Sequence, residues 1–428
     1  MKMKHITNYK FLLGAATFML VLQMWLNSGN MSVYAACLTK PHIMKGYITN
    51  YDDTLYEMNY KMIRGVTPKE EWKYGLTLRR VGLFIVGYPF FRAFGFYWGG
   101  ELTCFLLTIF TFLYLIHFVK KKYGSSAAYA AMLLAGSYTG IMYWIGSPFA
   151  QNTIFPICVF VYILMMKLET TTVLKKALGI WFLIGVLFTG YDLFIMFIPA
   201  IFFFYCFRKQ WLWAVLSAIV IFLPQVIVEL ALQTYGALFH NANKDLYTVI
   251  LQSVTDNFSV ADLLLHIKQL PGIFIENLFN AGFFILPGLF LIIYIPARIF
   301  YKFQLNIVEV SIFLGVFWLF LFLNLVPSYD SIWQLRGVNI ARIYQPVFIP
   351  MLMYLVRFAS YIYETNKKVS MVYFVLLFLA FGTCVWLNLG GWYHNEYTQS
   401  MYYNFYRNSI DDAYFRNIEI YGKKPLGF

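Results

Sequence analysis

The sequence predicts an all-α polytopic membrane protein, with about eleven transmembrane helices and additional external interfacial helices. Three observations predict it. Of 428 residues, 60% are hydrophobic and only 12% are charged, against about 25% charged in a soluble domain. Apolar runs of about 17–25 residues recur along the chain, the length that crosses ~30 Å of hydrocarbon. The basic residues behind the net charge of +13 mostly flank those runs. That placement suits anionic headgroups and membrane orientation, and it excludes nucleic acid as the expected partner.

The runs lie near 11–27, 100–118, 126–146, 152–167, 176–190, 192–207, 211–233, 278–300, 307–326, 343–359 and 369–388. The first follows Lys2, Lys4 and Lys10. VYAAC, ending at Cys37, loosely matches a lipoprotein cleavage site. The apolar run is long and the gap to Cys37 is polar, so an uncleaved first helix is expected. Lys120–Lys122, Lys175/Lys176, Arg208/Lys209, Arg298 with Lys302, and Lys367/Lys368 then fall on the side of the N-terminus. These segments are short, and short basic loops mark the cytoplasmic side. Nine Lys and Arg in residues 28–98 lie on the other side, in a segment long enough to count less.

With this threading, residues 1–390 form one transmembrane domain. Residues 28–98 and 234–277 are its large external loops, 327–342 is a shorter one, and 391–428 is an external Tyr-rich tail. Within 54–65, Leu55, Met58, Met62 and Ile63 recur at helical spacing, and Asp52 or Asp53 can cap the start. Residues 78–95 mix aromatics with Arg79, Arg80 and Arg92 in the manner of an interfacial helix, and 259–276 is similar but broken at Pro271. Tyr residues number 34, and most belong to belts at headgroup level. The cytoplasmic side has only short hairpins and no GxxxxGK[ST] or GxGxxG segment, so nucleotide chemistry there is not expected.

The residues able to carry chemistry gather on the outer side. Asp52 and Asp53 stand together in YDDTLY. A hydroxyl attacking an anomeric carbon needs a carboxylate to take its proton, so one Asp serves as base and the other orients a substrate. A lipid phosphate leaving group needs no acid, only cations to hold it. Arg342, with Tyr344, opens the run ARIYQPVFIP and offers a planar fork for phosphate. Arg336, Arg79 and Arg80 are further phosphate contacts, and Asp192 stands between two apolar runs, where a carboxylate is costly. Each has a plainer reading: a helix cap for the acidic pair, snorkelling for the arginines, and a turn after Gly190 for Asp192. No His or Cys spacing suggests a metal, four of the five cysteines fall inside apolar runs, and no disulfide framework is visible. No cofactor motif is present, and a divalent cation stays open. Asn30 and Asn257 match the N-glycosylation pattern, which the bacterial style of the chain discounts.

These residues resemble the GT-C superfamily of integral-membrane glycosyltransferases, which includes protein O-mannosyltransferases and bacterial aminoarabinose transferases. YDDTLY followed by EMNYKMIRG looks like the opening of that family's first external loop, and YPFFRAFGF like its second loop helix. ARIYQPVFIP looks like a late Arg-x-Tyr span start. The resemblance implies transfer of a sugar from a polyprenyl-phosphate donor to a lipid, glycan or protein acceptor, with Asp52 as base, Asp53 its neighbour and Arg342 facing the donor phosphate. It also implies an outer-face site in a bacterial cytoplasmic membrane, among membrane lipids. SPFAQN lacks the acidic residue often found after the third span. A cell-surface polysaccharide polymerase and a lipid-linked glycan transporter or flippase are the alternatives. The absence of an evident internal repeat weighs against the transporter.

Overall fold

The computed structural model describes residues 2–30, 73–74, 80–138, 153–191, 193–234, 238–239, 260, 264, 267–268, 271, 285–325 and 345–390. Among them the regular structure is helical, apart from one two-residue strand pair. The helices are α1 (Lys2–Asn30), α2 (Val81–Gly136), α3 (Ile154–Thr170), α4 (Leu174–Phe188) and α5 (Phe194–Phe207). They continue as α6 (Trp211–Thr234), α7 (Ile285–Phe300), α8 (Ile307–Leu325), α9 (Phe348–Thr365) and α10 (Lys367–Gly390). A single 3₁₀ turn, Gln345–Val347, leads into α9. Three helical stretches are long and apolar enough to cross a membrane: Leu102–Gly136, Trp211–Ala231 and Lys367–Asn388. Tyr9–Met24, Val81–Phe94, Ile195–Phe207, Ile285–Phe300 and Ile307–Leu321 are apolar but shorter.

The helices coincide with the apolar runs because the same punctuation ends both. Arg208 and Lys209 close α5, and Lys209 takes φ 59 in the tight turn before α6. Lys302, at φ 52, follows α7. The long α2 folds back on itself twice. A Cβ on Gly99 would collide with the backbone of Phe90 and Phe91, and one on Gly87 with Thr103. In a straight helix positions 87 and 103 would stand about 24 Å apart, so the stretch after 95–98 returns alongside the stretch before it. The second fold is at Gly124, whose φ of +88 suits glycine. A Cβ on Gly136 would lie 3.6 Å from the Phe112 ring, which brings the two arms together. Thus the expected run 100–118 and the described part of the run 126–146, up to Gly136, lie on the two arms around Gly124. Val81–Phe94, at about 20 Å, is shorter than a crossing helix and falls within the segment 78–95. The helix expected at 54–65 lies outside the described residues. Of 259–276, positions 260, 264, 267–268 and 271 are helical and exposed, on one helical face.

The described residues divide into two compact units. One comprises Met1–Tyr60, Val86–Asn152 and Ala359–Phe428. In it α1 packs on α10, and polar groups tie them together. Gln23 Nε2 donates to the Gly136 carbonyl at 2.9 Å, while Asn388 Nδ2 donates to Gln23 Oε1 at 2.7 Å. Buried polar bonds between membrane helices contribute about 0.6 kcal/mol on average and at most ~1.7. At the opposite ends of these helices Lys120 Nζ lies 3.3 Å from the Tyr9 ring centroid, and Ser360 Oγ donates to the Tyr123 carbonyl. The basic turn at Gly124 and the start of α1 therefore share one end.

The other unit comprises Lys61–Ile85 and Thr153–Phe358. Here α5 packs along α8 and α6, and α6 along α4. Its basic turns also share an end. Arg208 Nη1 donates to the Leu168 carbonyl at 3.1 Å, joining the last turns of α3 and α5. Beside them Trp181 Nε1 donates to the Tyr205 hydroxyl at 3.1 Å, with Trp213 against both rings. At the same end α8 starts with a capping box. The Glu309 N–H donates to Asn306 Oδ1, and the Asn306 N–H donates to Glu309 Oε2. Arg357 of α9 grips that carboxylate with two bonds, Nε to Oε1 at 2.8 Å and Nη2 to Oε2 at 2.5 Å. Its Nη2 also donates to the Gln304 carbonyl, and the Phe303 ring centroid lies 5.0 Å from its guanidinium carbon.

Candidate functional site

The end of the second unit opposite these basic turns is built around a meeting of glycines. The Gly82 N–H donates to the Thr189 carbonyl at 3.0 Å, which docks the start of α2 on the turn that follows α4. A Cβ on Gly82 would lie 2.8 Å from the backbone nitrogen of Gly190, so only glycine permits this approach. Two residues before Gly82 is Arg80, and directly after Gly190 is Tyr191. The docking therefore lays the Arg80 guanidinium carbon 4.5 Å from the Tyr191 ring centroid. Tyr191 is buried and Arg80 is partly exposed.

The floor of this region comes from α4 and α6. A Cβ on Gly185 would strike the Ile221 carbonyl and the Pro224 ring, so its absence lets the two helices close up. That approach lets Gln225 Nε2 donate to the Phe188 carbonyl at 2.9 Å. Phe188 and Gln225 are thus level, with α4 and α6 running in the same direction. Glu229 follows Gln225 by four residues, on the same face of α6, level with the turn after α4. It is 5% exposed. Thr153, also buried, closes the cluster: a Cβ on Gly190 would lie 3.4 Å from its hydroxyl. In a largely apolar bundle these groups put a cation, a carboxylate, two hydroxyls and an amide at one end. An ionisable residue inside a membrane helix is costly and marks a functional site by default.

Of the residues singled out in the sequence, Arg80 belongs to this cluster. Asp52, Asp53, Arg79, Asp192, Arg336, Arg342 and Tyr344 lie outside the described residues. Some segments near them in sequence are described. Tyr191 directly precedes Asp192. The strand pair joins β1 (Lys73–Tyr74) in parallel to β2 (Leu238–Phe239). Phe348, four residues after Tyr344, stacks on Phe155 of α3 at 5.7 Å between centroids, two residues from Thr153.

Sequence reading missed Tyr191, Gln225 and Glu229. The signal for the last two was present: Gln225 and Glu229 stand four residues apart in a helix whose other residues are nearly all apolar. Among the described residues no three of His, Cys, Asp and Glu gather as metal ligands. The arrangement can hold an anion on Arg80 and accept hydrogen bonds from hydroxyls at Glu229. No protein-family model, no curated protein and no solved structure matches the chain.

Proposed function

We propose that the chain is a membrane glycosyltransferase with about eleven spans and a GT-C-like fold. It takes a sugar from a polyprenyl-phosphate donor and transfers it to a cell-surface lipid, glycan or protein. The reaction takes place on the outer face of a bacterial cytoplasmic membrane. The observation that carries this reading is the Arg80–Tyr191 contact, at the end of the unit opposite the basic turns, with Glu229 buried in α6. A cation held against a buried ring at the start of an apolar helix suits a lipid phosphate at the membrane surface. Asp52 takes the proton of the acceptor hydroxyl as its oxygen bonds to the anomeric carbon. The bond from that carbon to the phosphate oxygen breaks, and polyprenyl phosphate leaves with the electron pair. Asp53 orients Asp52 or the acceptor. Arg80 and Arg342 hold the departing phosphate, with Arg79, Arg336 and Tyr344 as further contacts.

The experiment is transfer by purified protein from a polyprenyl-phosphate sugar and, separately, from a nucleotide sugar. Only the lipid-linked sugar is expected to serve. Asp52→Asn should lower the rate by ~10²–10⁴ with the protein still folded. Arg342→Ala should lose donor binding, and Arg342→Lys should recover only part of it. Transfer from the nucleotide sugar alone, or full activity of the Asp52→Asn/Asp53→Asn variant, would overturn the reading.

A further inference from the structure

We propose that two adjoining basic turns of the second unit, at 167–176 and 208–209, form a docking surface for one anionic phospholipid, with Arg208 gripping the headgroup phosphate. This surface lies at the end of the unit opposite Arg80 and stands apart from the transferase reading. The Leu168 carbonyl joins the two turns. It accepts the Thr171 N–H and Arg208 Nη1, each at 3.1 Å. Five cations, Lys167, Lys175, Lys176, Arg208 and Lys209, stand on these turns against one carboxylate, Glu169. The four lysines are exposed, and among the described residues no ion pair or hydrogen bond engages their ammonium groups. Arg208 is partly exposed and held from two sides. Nη1 is fixed on the Leu168 carbonyl, and the guanidinium carbon lies 5.4 Å from the Phe204 ring centroid. These contacts use one nitrogen and the face of the cation. Nε and Nη2 carry no other bond among the described residues. That edge of a guanidinium can donate in parallel to two phosphate oxygens.

A lipid headgroup and a free phosphate would offer the same oxygens to this edge. The side chains beside the cations select the lipid. Val173, Leu174, Phe207, Trp211 and Leu212 are exposed and apolar. Trp211 opens a helix long and apolar enough to cross a membrane, and an exposed tryptophan at such a helix start belongs at headgroup depth. A soluble anion would neutralise the cations and leave these side chains bare. A phospholipid covers both, with its phosphate on Arg208 and its acyl chains along the apolar residues. The excess of positive charge on the two turns favours an anionic headgroup over a zwitterionic one.

The test uses the full-length protein in neutral detergent micelles, titrated separately with phosphatidylglycerol, phosphatidylcholine and glycerol phosphate. Bound lipid is counted by native mass spectrometry, and the unfolding midpoint is followed in parallel. Phosphatidylglycerol should bind more tightly than either other probe and raise the midpoint. Lys209, at φ 59, can be replaced by asparagine, which tolerates that backbone while removing the charge. Lys209→Asn should raise the Kd for phosphatidylglycerol about 5-fold, the value of one cation at an anionic surface. Arg208→Gln should raise it further, and Arg208→Lys should recover only part of the loss. Lys302 supplies a matched control: it has φ 52 in another basic turn, so Lys302→Asn removes the same charge from the same backbone. It should leave the Kd within about 2-fold of wild type, since exposed charges beyond a Debye length are largely screened. An equal loss in Lys302→Asn and Lys209→Asn would overturn the local site in favour of diffuse charge. Wild-type affinity in folded Arg208→Gln would overturn the role of Arg208; if that variant fails to fold, the two lysine variants still decide the site. Equal binding of phosphatidylcholine would overturn the anion, and equal binding of glycerol phosphate would overturn its lipid source.

Discussion

Replacing Arg357 with Met should destabilise the protein more than any change that leaves the Glu309 carboxylate its partner. Glu309 is 0% exposed, and both of its oxygens are engaged by Arg357. Removing the arginine leaves a buried charge with the Asn306 N–H at 2.9 Å and the Tyr162 hydroxyl at a long 3.4 Å. Breaking a buried pair this way costs about 3–5 kcal/mol. A chain unfolded within a membrane still finds some polar partners, which places the expected loss near the lower bound, about 3 kcal/mol. Glu309→Gln should cost less, about 2 kcal/mol. Glutamine keeps an acceptor for the capping box, and Arg357, at 15% exposure, reaches the basic end of the helices by snorkelling. The double variant Glu309→Leu/Arg357→Met removes both desolvated charges. It should lie within about 1–2 kcal/mol of wild type, the residual being the lost cap. The assay is unfolding in mixed micelles by titrated dodecyl sulfate, read by tryptophan fluorescence. If the double variant loses as much as both single changes together, or if Arg357→Met loses under ~1 kcal/mol, the pair is not the coupled clamp described.

Two further outcomes follow from the packing. Gly185→Leu drives a side chain into the Ile221 carbonyl and the Pro224 ring, so it should separate α4 from α6, release Gln225 from Phe188 and lower the unfolding midpoint. A cross-link between cysteines placed at positions 188 and 225 would form readily in the Gly185 background and slowly in the variant; equal rates would show that the glycine does not set the approach. In a cysteine-free background, cysteine placed at Glu70 should react with an impermeant maleimide from outside the cell, and cysteine placed at Lys121 only after the membrane is opened. The reverse pattern would overturn the orientation and the outer-face chemistry with it.

Helix positions were largely legible in the sequence. The runs at 211–233 and 369–388 correspond to Trp211–Thr234 and Lys367–Gly390, because apolar length and flanking basic residues set helix ends directly. The fold-back of α2 at 95–98 was visible only as the gap between an interfacial segment and a span. Which helices touch was not legible, since an apolar side chain facing lipid and one facing a neighbour look alike in sequence. The site divided in the same way. Arg80 was found because a charge beside an apolar run stands out. Tyr191 was not, because one aromatic among 34 tyrosines carries no mark until Gly82 meets Gly190. Glu229 was averaged away within its span.

The contact between Lys120 and Tyr9 constrains the parity of the threading. A chain that starts on one side, crosses in α1 and crosses back between Leu102 and Gly124 returns to the side where it began. Both residues then face the same compartment, as their contact requires. A third crossing between them would part them by the thickness of the bilayer. In that threading the Val81–Phe94 arm, shorter than a crossing helix, adds no change of side.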